Sequence, residues 1–369
     1  MPVPLLDLTR QYRPLRDEIL AAIDRVCDSQ RFILGAEVED FESEASEMLG
    51  VAHSIGVTSG TDALLASLMA LGVGAGDEVV IPTFTFFATA GVVARLGARP
   101  VFVDVDPVDY CMDSQQVRDS LTARTRAVMP VHLFGQAADM AAIMEAAGDI
   151  PVIEDCAQAW GADFGGRPVG SIGRMGAFSF FPSKNVGCFG DGGLITTQDD
   201  ALAHSLRALR VHGQSGPYLH PVVGGNFRLD SLQAAILRVK LPFVAGWVEG
   251  RRANANRYRR LFEEAGLGDA VELPQACTGR GHTFNQFVIR VERRDDLRAF
   301  LGERGIGAAV YYPLPLHMQP CFADLGSSEG EFPVAEQASR EVLALPVFPE
   351  LTEDEQEEVV GAIAEFFAR

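Results

Sequence analysis

The sequence predicts an α/β fold in two lobes: a large one with a mostly parallel central sheet, then a smaller C-terminal α/β one. Three observations carry this. Short β-branched runs alternate with helical patterns through the first two thirds of the chain, as in a parallel sheet covered by helices. The alternation breaks near Pro242, where Arg251, Arg252, Arg257, Arg259 and Arg260 mark a polar helical stretch that bridges two lobes. A strand, helix, strand, helix series follows. With 369 residues, two domains are the expected division. The boundary is set at residues 1–245 and 246–369.

The strands expected in the large lobe are Ser54–Val57, Glu78–Ile81, Pro100–Val105, Arg126–Val131, Pro151–Glu154, Ala177–Phe181 and Gly193–Thr197. Helical patterns between them cover Thr61–Leu71, Phe86–Leu96, Met140–Ala147 and Ala201–Val211. In the small lobe the series is Phe284–Val291, Asp296–Arg304, Ile306–Val310 and Glu353–Phe367.

Composition excludes several classes. A formal charge of −19 lacks the basic footprint of nucleic-acid binding and does not favour an anionic membrane. The start, Met1 to Asp7, has neither the basic residues nor the apolar run of a signal peptide. No apolar stretch reaches the ~18 residues of a membrane span. The cysteines at 27, 111, 156, 188, 277 and 321 form no C-x-x-C pair, so no metal centre is expected. A reducing cytoplasm is the expected location.

Two segments carry the chemistry. Val152-Ile153-Glu154-Asp155 is an apolar run ending in a carboxylate, and Phe178-Ser179-Phe180-Phe181-Pro182-Ser183-Lys184 is an aromatic run ending in an amine. An acid and an amine at the ends of two buried strands suit an enzyme of pyridoxal 5′-phosphate. The acid keeps the pyridine nitrogen protonated and the lysine bonds the aldehyde. A buried ion pair would leave the same trace.

Other segments admit two readings each. Ser59-Gly60-Thr61-Asp62 follows a strand and opens a helix, so it is either a phosphate cradle or a plain N-cap. Phe86 either stacks on a cofactor ring or joins the core, as most of the 23 phenylalanines do. His132 either touches a ligand or is a satisfied histidine at a strand end.

Together these segments resemble the DegT/DnrJ/EryC1/StrS family of pyridoxal-phosphate aminotransferases, which act on nucleotide-linked keto sugars. The likeness rests on Ser59 to Leu64, Pro82 to Thr89, Val131 to Gln136, Glu154 to Gln158, Phe178 to Asn185, Gly190 to Gly193 and Gly225 to Leu229. It implies fold type I architecture. It also implies that Lys184 bonds the cofactor, Asp155 faces the pyridine nitrogen, and Gln158 lies beside the ring hydroxyl. By the same likeness Phe86 stacks on the ring, while Ser179 and the amides around Gly60, Thr61 and Asp62 hold the phosphate. Asn226 matches an asparagine that reaches a neighbouring subunit's phosphate, which implies a homodimer with shared sites. Cys156 stands where alanine is common, and a packing role is expected of it.

L-glutamate is the implied amino donor, and Lys184 the implied proton carrier. Arg228 is expected either to hold a carboxylate or to lie on the surface. The run Val310 to Gln319 resembles a substrate-side segment, placing Tyr312 and His317 near a 3-keto hexose or hexuronic acid. Competing readings are a dehydratase of the same fold, another fold type I enzyme, and a non-catalytic cofactor-binding regulator. Lys184 speaks against a dehydratase that replaces this lysine by histidine, and no basic helix-turn-helix stretch supports a regulator.

Overall fold

The computed structural model describes residues 2–369, so Met1 lies outside the described residues. The strands, in chain order, are β1 (His53–Val57), β2 (Glu78–Pro82), β3 (Arg99–Val103), β4 (Thr125–Val128) and β5 (Ile153–Asp155). After them come the two-residue β6 (Asp163–Phe164) and β7 (Arg167–Pro168), then β8 (Met175–Ser179), β9 (Gly193–Thr197), β10 (Phe287–Arg290) and β11 (Val342–Leu345).

The main sheet joins two groups, β3-β2-β4 and β5-β8-β9-β1. Parallel bridges Val128↔Val152 and Val131↔Asp155 hold the groups edge to edge. Strands β3, β2, β4, β5 and β8 run in parallel register, whereas β9 lies antiparallel to both β8 and β1. The exception has a local cause. The loop from β8 to β9 contains no helix, and only a helical crossover would return the chain in the parallel sense.

Both faces of the sheet are covered, and β2 and β9 are buried at every position. Helix Gly60–Ala70 lies at the centre, with Ala63, Leu64, Leu65 and Leu68 buried. Two N-terminal helices, Leu8–Ser29 and Ala36–Leu49, were not among the expected elements. The first buries Leu15, Ile19, Ala22 and Val26, a helical spacing that packs against helix Ser231–Lys240.

The polar stretch after Pro242 is the helix Val244–Glu264. A second core gathers its Ala255, Tyr258 and Phe262 with β10, β11 and helix Glu353–Phe367. Val3 also belongs to this core, its N–H reaching the Gly305 carbonyl at 3.0 Å. The expected strand Ile306–Val310 is absent as such. Isolated bridges Val3↔Ile306 and Ala309↔Ala344 take its place, and β11 is the strand that pairs β10. No helix among the described residues is long and apolar enough to cross a membrane.

Candidate active site

Parallel neighbours end at the same edge of a sheet, so the chain leaving β4 at Val131 and the last residues of β5 and β8, Asp155 and Ser179, come to one place. There a cleft of about 420 Å³ opens. Asp155, the last residue of β5, is 5% exposed. Its Oδ2 accepts from Thr89 Oγ1 at 3.0 Å and its Oδ1 from the Ala157 N–H at 3.1 Å. Burial pushes this carboxyl up, opposed by those two hydrogen bonds and by Lys184. Two neutral donors leave it short of a cation, the partner that a protonated ring nitrogen provides.

Lys184 stands on the same cleft, in the loop after β8. Desolvation pushes its amine down to about 8, with Asp155 opposing. An amine so lowered is a far better nucleophile and base at neutral pH than an ordinary lysine. The loop that carries it is anchored on both sides. Asn185 Nδ2 donates to Trp160 O at 3.0 Å and to Thr283 Oγ1 at 2.8 Å, and the Cys188 N–H returns to Phe180 O at 2.8 Å.

The other end of the cleft suits an anion. Ser59 caps helix Gly60–Ala70, its Oγ accepting from the Asp62 N–H at 3.0 Å. That leaves the N–H groups of Gly60 and Thr61 without partners among the described residues, at the positive end of the helix dipole. Ser179 faces them. A Cβ on Gly60 would sit 2.7 Å from Ser179 Cβ, so only glycine permits this approach. The Asp62 amide is engaged by the cap, its carboxylate accepts from Thr58 Oγ1 at 2.6 Å, and the residue does not line the cleft.

Phe86 lies on the cleft wall, 56% exposed, in a turn before helix Ala88–Arg95. Gln158 is buried beneath, its Oε1 accepting from the Phe134 N–H at 2.6 Å and its Nε2 donating to Tyr312 Oη at 3.0 Å. Tyr312 lines the cleft too. Residues that the sequence argument had not placed there are Thr85, Ser183, Asp191, Gln286 and Tyr311. Ser183 was within reach, being the neighbour of Lys184. Gln286 and Tyr311 come from the far side of Pro242; Tyr311 lies in the run Val310 to Gln319 beside Tyr312, whereas nothing in the local sequence of Gln286 announces its approach.

Three expected residues lie elsewhere. His317 is 2% exposed and away from the cleft: its Nδ1 pairs with Thr83 Oγ1 at 2.8 Å and its Nε2 lies 3.4 Å from Glu336 Oε1. It braces the turn before Phe86. Asn226 bridges Val211 and is exposed, and Arg228 bridges Val57; neither lines the cleft of its own chain. His132 is a satisfied histidine. Its Nδ1 accepts from the Ala138 N–H at 3.0 Å, which leaves Nε2 to donate to Glu154 Oε2 at 3.1 Å. Glu154 also accepts the N–H groups of Gly170, Ile172 and Gly173. With Cys156 these two could form a metal cluster, but their ligand atoms are occupied, and the Cys156 thiol packs in the core.

A carboxylate short of a cation, a desolvated amine, an exposed aromatic face and unspent N–H groups therefore share one cleft. They fit pyridoxal 5′-phosphate end to end. Comparison with known proteins agrees. The model of the DegT/DnrJ/EryC1/StrS aminotransferase family matches residues 14–364. Over all 369 residues the chain is 52% identical to the pleiotropic regulatory protein of Geobacillus stearothermophilus, covering 99% of it. It is 47% identical to UDP-N-acetyl-3-dehydro-α-D-glucosamine 3-aminotransferase of Acidithiobacillus ferrooxidans over 355 residues, which are 96% of this chain and 95% of that one. Crystalline S. venezuelae DesV, solved with a ketimine intermediate, superposes with a TM-score of 0.96 at 42% identity, with 100% and 99% of the two chains covered. The chain belongs to the DegT/DnrJ/EryC1/StrS aminotransferase family. It is a fold type I aminotransferase, and its cofactor is pyridoxal 5′-phosphate.

Proposed function

We propose that this chain moves an amino group from L-glutamate to the keto carbon of a nucleotide-linked sugar, a 3-keto hexose or hexuronic acid, in amino-sugar biosynthesis. The observation that carries the reading is the meeting of Asp155 and Lys184 on one cleft with an anion seat at its end. The name of the Acidithiobacillus relative supports the nucleotide sugar and position 3. The Geobacillus relative's name favours regulation, yet Lys184 and Asp155 are both present here in a formed cleft.

When bound, the cofactor supplies an aldehyde that links to amines and a ring that takes up electrons. The chain does the rest. Asp155 holds a proton on the ring nitrogen, oriented by Thr89 and the Ala157 N–H. The N–H groups of Gly60 and Thr61, with Ser179, would hold its phosphate, and Phe86 would pack against its ring. Gln158, fixed by Phe134 and Tyr312, borders the ring hydroxyl. Lys184 Nζ takes a proton from the donor's α-carbon and later returns one to the sugar carbon. Asn226 serves the phosphate seat of a neighbouring chain in a cytoplasmic homodimer, and Arg228 supplies a cation for a substrate carboxylate. The division at residues 245 and 246 separates the cofactor lobe from the small lobe.

L-glutamate added alone to the yellow enzyme is expected to bleach its long-wavelength absorbance and release 2-oxoglutarate. A UDP- or dTDP-linked keto sugar should then restore the colour and emerge aminated. Turnover of free sugars with no reaction of any nucleotide sugar would overturn the substrate class.

A further inference from the structure

Behind the cleft lies a second chamber of about 60 Å³, at the seam between the Lys184 loop and the second core. Ser183, Gln286 and Tyr311 line both spaces, so the two share a wall. Arg251 closes the chamber from helix Val244–Glu264. This arginine is 3% exposed. Its Nη1 donates to the carbonyls of Phe284, Asn285 and Val347 at 3.1, 3.3 and 3.0 Å. No carboxylate pairs with it among the described residues, and its Nε is buried without a partner. Burial pushes the guanidinium down to about 10, with only the field of Glu350 opposing.

The rest of the polar wall is equally unspent. The hydroxyls of Ser183 and Tyr311 make no hydrogen bond among the described residues. Asn285 gives its Nδ2 to Gln286 Oε1 at 2.8 Å, while its Oδ1 is buried without a partner. A buried guanidinium accompanied only by carbonyl dipoles is short of an anion. The volume exceeds the ~10–15 Å³ that one water needs and suits a small planar group, not a sugar ring.

We propose that this chamber seats a carboxylate of the amino donor, held by Arg251 Nε and the hydroxyls of Ser183 and Tyr311. The proposal rests on the transaminase reading above and adds the donor's place to it. A carboxylate seated beside Ser183 puts the donor's amine, one carbon away from its α-carboxylate, on the Lys184 side of the shared wall. The nucleotide sugar, being larger, keeps to the open cleft. Asn285 Oδ1, the acceptor on this wall, takes a water that bridges to the carboxylate.

The two half-reactions separate this idea from its alternatives. Fully loaded Arg251→Lys, Ser183→Ala and Tyr311→Phe enzymes are titrated with L-glutamate while the long-wavelength absorbance is followed. The glutamate concentration for half-maximal bleaching should rise about 10-fold or more for Arg251→Lys, and several-fold for each hydroxyl variant. The half-saturating keto sugar in the second half-reaction should shift far less. Should Arg251→Lys lower the melting temperature sharply, the hydroxyl variants, which leave the three carbonyl bonds intact, decide the matter. Crystals soaked in glutarate, a dicarboxylate without an amine, should place a carboxylate within hydrogen-bond distance of Arg251 Nε. Unchanged glutamate dependence in all three variants, or glutarate bound elsewhere, overturns the proposal. So does a defect confined to a hexuronate acceptor, which would give the chamber to the sugar. Wild-type enzyme inert to glutamate would instead overturn the donor assignment beneath it.

Discussion

Apoenzyme mixed with pyridoxal phosphate over a series of pH values reports the protonation of Lys184 directly, because only the free amine attacks the aldehyde. An ordinary lysine amine titrates at 10.5, and desolvation in the cleft brings Lys184 to about 8. At pH 7 about one amine in ten is then free, against about one in three thousand at the ordinary value. Capture at pH 7 should thus run roughly 300-fold faster than for an exposed lysine. Its rate should climb about tenfold per pH unit up to about 8 and level beyond. Stopped-flow absorbance between pH 6.5 and 10, with borohydride trapping on Lys184, gives the profile. Asp155 opposes the shift, so Asp155→Asn should move the break to lower pH. Stability follows with a definite sign. The folded value lies below the unfolded one, so between about 8 and 10.5 the unfolded chain binds more protons, and the apoenzyme gains stability as pH rises through that window. Below about 8 the full penalty is present. A capture rate that rises unbroken to pH 10 would refute the desolvated amine.

Gly60→Ala places a Cβ 2.7 Å from Ser179 Cβ and 3.2 Å from its Cα, so the helix start and the end of β8 must part by roughly 1 Å to reach ordinary contact. Phosphate affinity should fall at least about tenfold, while stability drops by only the ~1–3 kcal/mol of an overpacked site; equilibrium dialysis and melting curves separate the two, and undiminished affinity would remove Gly60 and Ser179 from the phosphate seat. Mixing inactive Lys184→Ala with inactive Asn226→Ala chains, refolded together, should restore activity, since one site of each mixed dimer then carries neither lesion. No recovery would return Asn226 to its own chain.

What was legible in the sequence is what local chemistry sets. Gly193–Thr197, Met140–Ala147 and Glu353–Phe367 fall at their expected limits, because each combines a clear period with a sharp terminator or cap. Helix Glu353–Phe367 even carries a full capping box at Thr352 and Glu355. Asp155 and Lys184 were visible for a similar reason, since a charged residue ending an apolar run is conspicuous. The misses share a different origin. Strand β11 sits in a run, Val342-Leu343-Ala344-Leu345, whose apolar character also fits a helix. The contacts of His317 with Thr83 and Glu336 are likewise long-range and leave no mark in the sequence. Arg251 looked like one more arginine of a polar helix, and only tertiary packing buries it.

The placement of Lys184 follows from the one strand that breaks the parallel pattern. Asp155 and Ala177 stand opposite each other on parallel neighbours β5 and β8, so the amine, reaching back from beyond β8, arrives on the acid's side of the sheet. Because β9 returns directly, the intervening loop has no helix to stiffen it. Its rigidity comes from below, from helix Ser231–Lys240. Gln233 exchanges two hydrogen bonds with the backbone of Phe189 at 2.8 and 3.1 Å, and Lys240 Nζ donates to the Gly187 carbonyl. The segment that leads into this helix carries Asn226 and Arg228. Asn226, proposed to serve a neighbouring chain's site, and the loop that carries Lys184 are therefore tied to one helix. If the proposed shared-site dimer forms, a second chain docked against that segment would bear on the same helix that holds the Lys184 loop, a mechanical link beside the chemical one.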